Sequence, residues 1–176
     1  MTQVCDLAEW RQRLASWDGK SAKELEAFYA CYGGEGYFAT TILTFSTEPT
    51  AAQPAATWLL KRHLESGATL SAEEALELYE SVAHFRTSWP VTLHLLQSIP
   101  FVPVPASCAA ELVDVLVACC AQPEKMVRAW AYNGLYLVGL QHPAYQRQVT
   151  SHLARAQQDD APSVRARIRK LPPFPA

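Results

Sequence analysis

The sequence predicts an all-α fold in which antiparallel helix pairs stack on one another. Three observations carry the prediction. Apolar residues recur at helical spacing: Leu112, Val115, Leu116 and Cys119 follow the i, i+3, i+4, i+7 rule. Helix punctuation recurs as well. Ser21-Ala22-Lys23-Glu24 and Ser71-Ala72-Glu73-Glu74 both fit a capping box, where serine and glutamate side chains satisfy two amide donors reciprocally. Finally, the chain repeats itself. Met126-Val127-Arg128-Ala129-Trp130-Ala131 aligns with Ser163-Val164-Arg165-Ala166-Arg167-Ile168 at an offset of 37, and a further 38 residues back from Val127 lies Trp89. A repeated helix–turn–helix unit buries its apolar face only against its neighbours, so repetition implies a stack.

The elements follow in order. The first predicted helix covers 5–16, and the Ser21 box opens the second, 21–32. The third, 36–46, contains Thr40, Thr41, Ile42 and Thr44, which also suit a strand. It is assigned as helix because no second strand is available to pair with it. Pro54 stands where a missing amide hydrogen costs nothing and opens 54–66, which Gly67 stops. The Ser71 box opens 71–83, and an apolar helix covers 89–98. Ile99 to Ala106 holds three prolines and reads as an extended connector. Helix 107–121 carries the periodicity quoted above. Pro123 precedes 124–140, where Val127, Trp130, Gly134 and Leu137 line one side and Ala129, Tyr132, Tyr136 and Leu140 another. A helix apolar on two sides is covered on two sides, which places it mid-stack. Pro143 opens 143–157, with His142 as its expected cap, and 162–170 is the last helix. The proline-rich end, Leu171 to Ala176, stops it.

The 176 residues suit one domain: an N-terminal helical cap over 1–50, about three helix pairs and a terminal half-unit over 51–171, and a tail over 172–176. With 49% hydrophobic and 18% charged residues, the chain as a whole is not disordered. Its apolar runs are shorter than the roughly 18 residues of a membrane span. The net charge of −2 divides into −5 over residues 1–87 and +3 over 88–176, a bipolarity that can orient a partner. Five cysteines, Cys5, Cys31, Cys108, Cys119 and Cys120, include no pair two residues apart, so no zinc pattern arises. They read as reduced, mostly buried thiols, which leads to the expectation of a cytoplasmic protein.

Val127-Arg128-Ala129-Trp130-Ala131 and Asp159-Asp160-Ala161-Pro162-Ser163-Val164-Arg165-Ala166-Arg167 resemble the HEAT-repeat family in its divergent bacterial form, where an acidic turn precedes a Val-Arg pair and a small residue. The likeness is carried by 124–171, thins over 54–121, and departs from the pattern at Trp89-Pro90, which holds no Val-Arg pair. The resemblance implies a HEAT/armadillo-like array, a short right-handed α–α superhelix of stacked antiparallel helix pairs. It also implies that Arg128 and Arg165 sit at helix starts and pair with acids of a neighbouring turn. Glu124, four residues before Arg128, offers a local partner instead.

A catalytic constellation does not emerge. The histidines His63, His84, His94, His142 and His152 form no two-histidine zinc motif, and Gly-x-Ser-x-Gly does not occur. Gly33-Gly34-Glu35-Gly36 lacks the following Lys-Ser/Thr of a phosphate loop and reads as an interhelical turn whose glycines accept positive φ. The expected function is therefore non-catalytic, without metal or cofactor: an adaptor, scaffold or regulatory partner that binds a protein or peptide. Trp89, His94, Arg128, Trp130, Tyr132 and Asn133 are the candidate contacts, because tryptophan near arginine marks binding hot spots. His94 also reads as a hydrogen-bonded core histidine. The alternative is a nucleic-acid-binding array related to DNA glycosylases. The basic cluster Arg165, Arg167, Arg169 and Lys170 motivates it, and the negative first half opposes it.

Overall fold

A computed structural model describes residues 7–81 and 88–174. Among these residues the chain forms ten α-helices and no strand: α1 Leu7–Ala15, α2 Ala22–Tyr32, α3 Phe38–Thr47, α4 Gln53–Glu65, α5 Ala72–Glu80, α6 Trp89–Ser98, α7 Ala109–Cys119, α8 Lys125–Gln141, α9 Gln146–Ala156 and α10 Pro162–Ile168. Each matches a predicted helix to within a few residues. The predicted ends at 5–6 and 82–83, together with Cys5 and His84, lie outside the described residues.

Local chemistry explains most boundaries. At α5 the capping box forms as the sequence predicts: the Glu74 amide donates to Ser71 Oγ at 3.1 Å, and the Ser71 amide donates to Glu74 Oε2 at 2.9 Å. These bonds hold the Glu74 carboxyl below its ordinary range, the backbone bond at Ser71 most of all. At α2 the predicted box does not form. Asp18 Oδ1 already accepts from the Ser21 and Lys20 amides, so Glu24 has no donor to reciprocate with. Gly67 ends α4 in the left-handed region at φ +96°, as a helix stop requires. The Gly33–Gly36 turn differs from its expected geometry, since none of its glycines has positive φ. Gly33 is instead demanded by a close approach: a Cβ there would lie 2.6 Å from the Tyr29 ring.

In α3 the helix prevails over its β-branched residues because Phe38, Ile42, Leu43 and Phe45 are all buried, while the Thr44 and Ser46 hydroxyls are satisfied by the carbonyls four residues back. The connector is less extended than predicted, because Ile99–Phe101 closes a 3-10 turn. A second such turn, Pro143–Tyr145, delays the start of α9. His142 does not cap α9. Its Nε2 pairs with the Val104 carbonyl at 2.9 Å, while Gln141 Oε1 accepts from the Val104 amide at 2.8 Å. Two side chains from the end of α8 thus satisfy the backbone of the proline-rich connector, which has no secondary structure to do so.

The helices pack in a regular order. In the even series, α2 packs on α4, α4 on α6, α6 on α8 and α8 on α10. Among the odd helices, α3 bridges α4 and α5, α7 lies against α8, and α9 contacts both α8 and α10. One continuous core runs from Trp10 to Ile168. Even helices start at Ala22, Gln53, Trp89, Lys125 and Pro162, steps of 31, 36, 36 and 37 residues. Side-chain hydrogen bonds repeat the same interval. Glu26–Arg62, Tyr29–His63, Thr57–His94 and Asn133–Arg167 join successive even helices, and Thr40–Glu74 joins α3 to α5, each across 34 to 37 residues.

α8 occupies the middle position that its two apolar sides predict. Val127, Ala129, Tyr132, Gly134 and Tyr136 are all buried. Gly134 lets α7 approach closely: a Cβ there would meet Leu116 Cδ2 at 2.9 Å and Ile99 Cδ1 at 3.2 Å. The chain end folds back over the same helix, with the Phe174 ring stacked on Tyr136 at 5.1 Å and filling the space above Gly139. Of the described cysteines, Cys108 and Cys119 are buried, Cys120 is half-buried, and Cys31 is exposed.

Candidate functional site: the groove between α8 and α10

The site begins with an acidic turn. Asp159 Oδ1 accepts from the Ala161 amide at 2.8 Å, which sets the entry to α10 where Pro162 needs no amide partner. Arg128, in the first turn of α8, locks onto this turn. Its Nε and one Nη2 hydrogen reach the two Asp159 carboxylate oxygens, both at 2.9 Å, and Nη2 also donates to Asp160 at 2.7 Å. Nη1 donates to the carbonyls of Gln122 and Pro123 at 3.0 and 2.9 Å. All five guanidinium hydrogens are engaged. Hydrogen bonds from Arg128 pull the Asp159 carboxyl down to about 2. The expected pairing of Arg128 with the neighbouring acidic turn is present, and Glu124 contributes only its backbone carbonyl. Arg165 meets the same turn differently, donating to the Asp159 and Asp160 carbonyls rather than to their carboxylates.

The clamp brings α10 alongside α8 and opens a groove of about 450 Å³ between them. Met126, Ala129 and Asn133 line one wall; Ser163, Ala166, Arg167, Lys170 and Leu171 line the other. Arg167 Cζ lies over the Trp130 ring, 3.7 Å from its centroid, and Nη1 donates to Asn133 Oδ1 at 3.2 Å. Burial lowers its pKa from the ordinary arginine value. Two buried polar atoms at this contact, Trp130 Nε1 and Ser163 Oγ, have no hydrogen-bond partner among the described residues.

The structure divides the sequence-predicted contacts. Asn133, Arg167 and Lys170 line the groove, Trp130 packs against Arg167, and Arg169 is exposed. Arg128 is not available to a ligand, because its donors are all spent inside the chain. Tyr132 is buried at 8% exposure and belongs to the core, with its phenol pushed up by burial. His94 is half-buried between α4 and α6, with Nδ1 3.2 Å from Thr57 Oγ1, and burial pushes it down to about 4. Of its two readings, the structure supports the core histidine. Trp89 stands apart: it is 56% exposed and edges a smaller groove of about 230 Å³ with Ser88, Thr92, Gln122 and Glu124.

Sequence reasoning missed Met126, Ala129, Ser163, Ala166 and Leu171, although for the first four a signal was present. The 37-residue offset pairs Met126 with Ser163, Ala129 with Ala166, Trp130 with Arg167 and Asn133 with Lys170. These are the i, i+3, i+4 and i+7 positions of equivalent faces on two stacked helices. Among the described residues, no group of three or more His, Cys, Asp or Glu is placed to hold a metal ion, and no helix is long and apolar enough to cross a membrane. Compared with family models, curated proteins and solved structures, the chain gives no significant match.

Proposed function

We propose that the chain is a non-catalytic protein-binding α-solenoid, similar to HEAT repeats, acting as an adaptor, scaffold or regulatory partner of another protein. In this reading the even and odd helices form the two layers of a right-handed superhelix, and the segment over 1–50 is its N-terminal helical cap. The observation that carries it is the recurring interval of 34 to 37 residues between bonded side chains on successive helices, together with the pairing of equivalent positions across the α8–α10 groove. Repetition of this kind produces an extended surface on which one groove can hold a segment of a partner. The reading also draws support from the groove itself, which combines an aromatic–arginine pair with apolar walls, the composition of interface hot spots.

Affinity capture from the native extract, with mass spectrometry of the retained material, tests the reading. One protein retained in stoichiometric amount is the expected result. Retention that disappears on nuclease treatment overturns it in favour of nucleic-acid binding.

A further inference from the structure

We infer that the α8–α10 groove binds an acidic peptide segment, with a carboxylate seated on Arg167 and Lys170 and an adjacent apolar side chain held by Met126 and Leu171. The inference rests on the protein-binding reading above and specifies the chemistry of the partner. Charge is the first argument. The lining includes two cations and no carboxylate. Three other arginines meet acids: Arg11 meets Glu48, Arg62 meets Glu26, and Arg128 meets Asp159 and Asp160. Among the described residues, the side-chain partners of Arg167 are the Trp130 ring and the Asn133 amide, and neither neutralises it. A half-buried guanidinium left without a counter-charge favours an anionic ligand.

Geometry is the second argument. Stacking on Trp130 and the bond to Asn133 fix the plane of the guanidinium before any ligand arrives. A planar fork held in place suits a carboxylate and lowers the ordering cost of binding. The third argument is the orphaned Ser163 hydroxyl in the wall of the groove. Buried polar atoms usually find partners, and a small opening of this wall would let the hydroxyl donate to a bound acceptor. Exposed Met126, at 41%, supplies an adaptable apolar contact next to the charges. A peptide fits better than a nucleic-acid strand. A phosphate backbone needs a track of cations, whereas here half the lining is apolar and neighbouring Arg165 is spent on backbone carbonyls.

The test uses the full chain on an array of short immobilised peptides in which acidic and apolar content vary independently. Each acidic peptide has an Asn/Gln counterpart, and a thymidine oligonucleotide serves as competitor. Peptides that combine Asp or Glu with Leu or Phe should be retained, and their amide counterparts should bind about tenfold more weakly. Arg167→Gln should reduce retention by about tenfold or more. Lys170→Gln, at an exposed position that leaves the fold intact, should weaken retention by a smaller factor. Retention that is unchanged in both variants overturns the site and leaves the protein-binding reading standing. Absence of retention on every peptide overturns the proposal. Oligonucleotide binding that Arg167→Gln abolishes, with no peptide retained, overturns both.

Discussion

Replacing Arg128 by alanine removes five donors from the junction of α8, the 122–124 turn and the turn before α10. The consequences can be sized from the partners. Asp160 is 90% exposed on its side chain, so water replaces the guanidinium there and little is lost. The Gln122 and Pro123 carbonyls border solvent and can be rehydrated. Asp159 is different. Its side chain is 8% exposed, and without Arg128 it keeps the Ala161 amide as its remaining described partner. Breaking a buried pair by deleting one member costs about 3–5 kcal/mol, and the partial access of this turn to water places Arg128→Ala near 3 kcal/mol. For a chain of this length that corresponds to a fall in Tm of about 6–12 °C. A double-mutant cycle with Asp159→Asn, read by urea unfolding, isolates the pair, and a coupling energy above about 1.5 kcal/mol is expected. The depressed Asp159 pKa adds a pH signature. The clamp contributes fully above about pH 4 and is lost as pH falls toward about 2, where the folded carboxyl takes up its proton. A cycle that proves additive, or an Arg128→Ala penalty that persists undiminished at pH 2, would refute the reasoning.

Three further outcomes follow from the packing. His94 is held neutral by burial, with the Lys61 charge adding to the effect, so the unfolded chain binds a proton between pH 6.5 and about 4 that the folded chain does not. Stability should therefore drop by at most about 3 kcal/mol as pH falls through that window, and His94→Gln should flatten this component of the urea-midpoint profile. Ser71→Ala removes the capping box at α5 and should cost about 1 kcal/mol, seen as a shift in urea midpoint without a change in slope. Gly134→Val places a branched side chain where even a Cβ meets fully buried Leu116 at 2.9 Å. It should destabilise the chain by about 2 kcal/mol, and a companion Leu116→Ala change should recover part of that loss.

The helices were legible because their signals are local. Ser71 and Glu74 satisfy each other across one turn, Gly67 meets its own φ requirement, and Leu112, Val115, Leu116 and Cys119 share a face by spacing alone. Even so, local patterns failed where a second local group competed. Asp18 took the amide that the Ser21 box needed, and His142 served the Val104 carbonyl rather than α9. The candidate site was half legible. Tryptophan and arginine on the α8 and α10 segments were recognised, but sequence reasoning could not distinguish a spent arginine from an available one.

Helix content and helix order are thus properties of the sequence by itself, since hydrogen bonds four residues apart and apolar spacing determine them, and the 37-residue offset is read directly from the matching Val-Arg-Ala segments. Which side chains are consumed and which are displayed was decided only in three dimensions. Arg128 and Arg165 share one motif, and Arg167 lies two residues beyond the second. The first closes on Asp159 from 31 residues away, the second turns to backbone carbonyls of the same turn, and the third rests on Trp130 across the gap between two stacked helices. The Arg165 bonds are local to the turn, but the other two outcomes depend on how α8 and α10 approach one another. That approach is set by the Arg128–Asp159 clamp together with the burial of Val127, Val164 and Ile168 in one core, contacts between segments more than 30 residues apart in the chain.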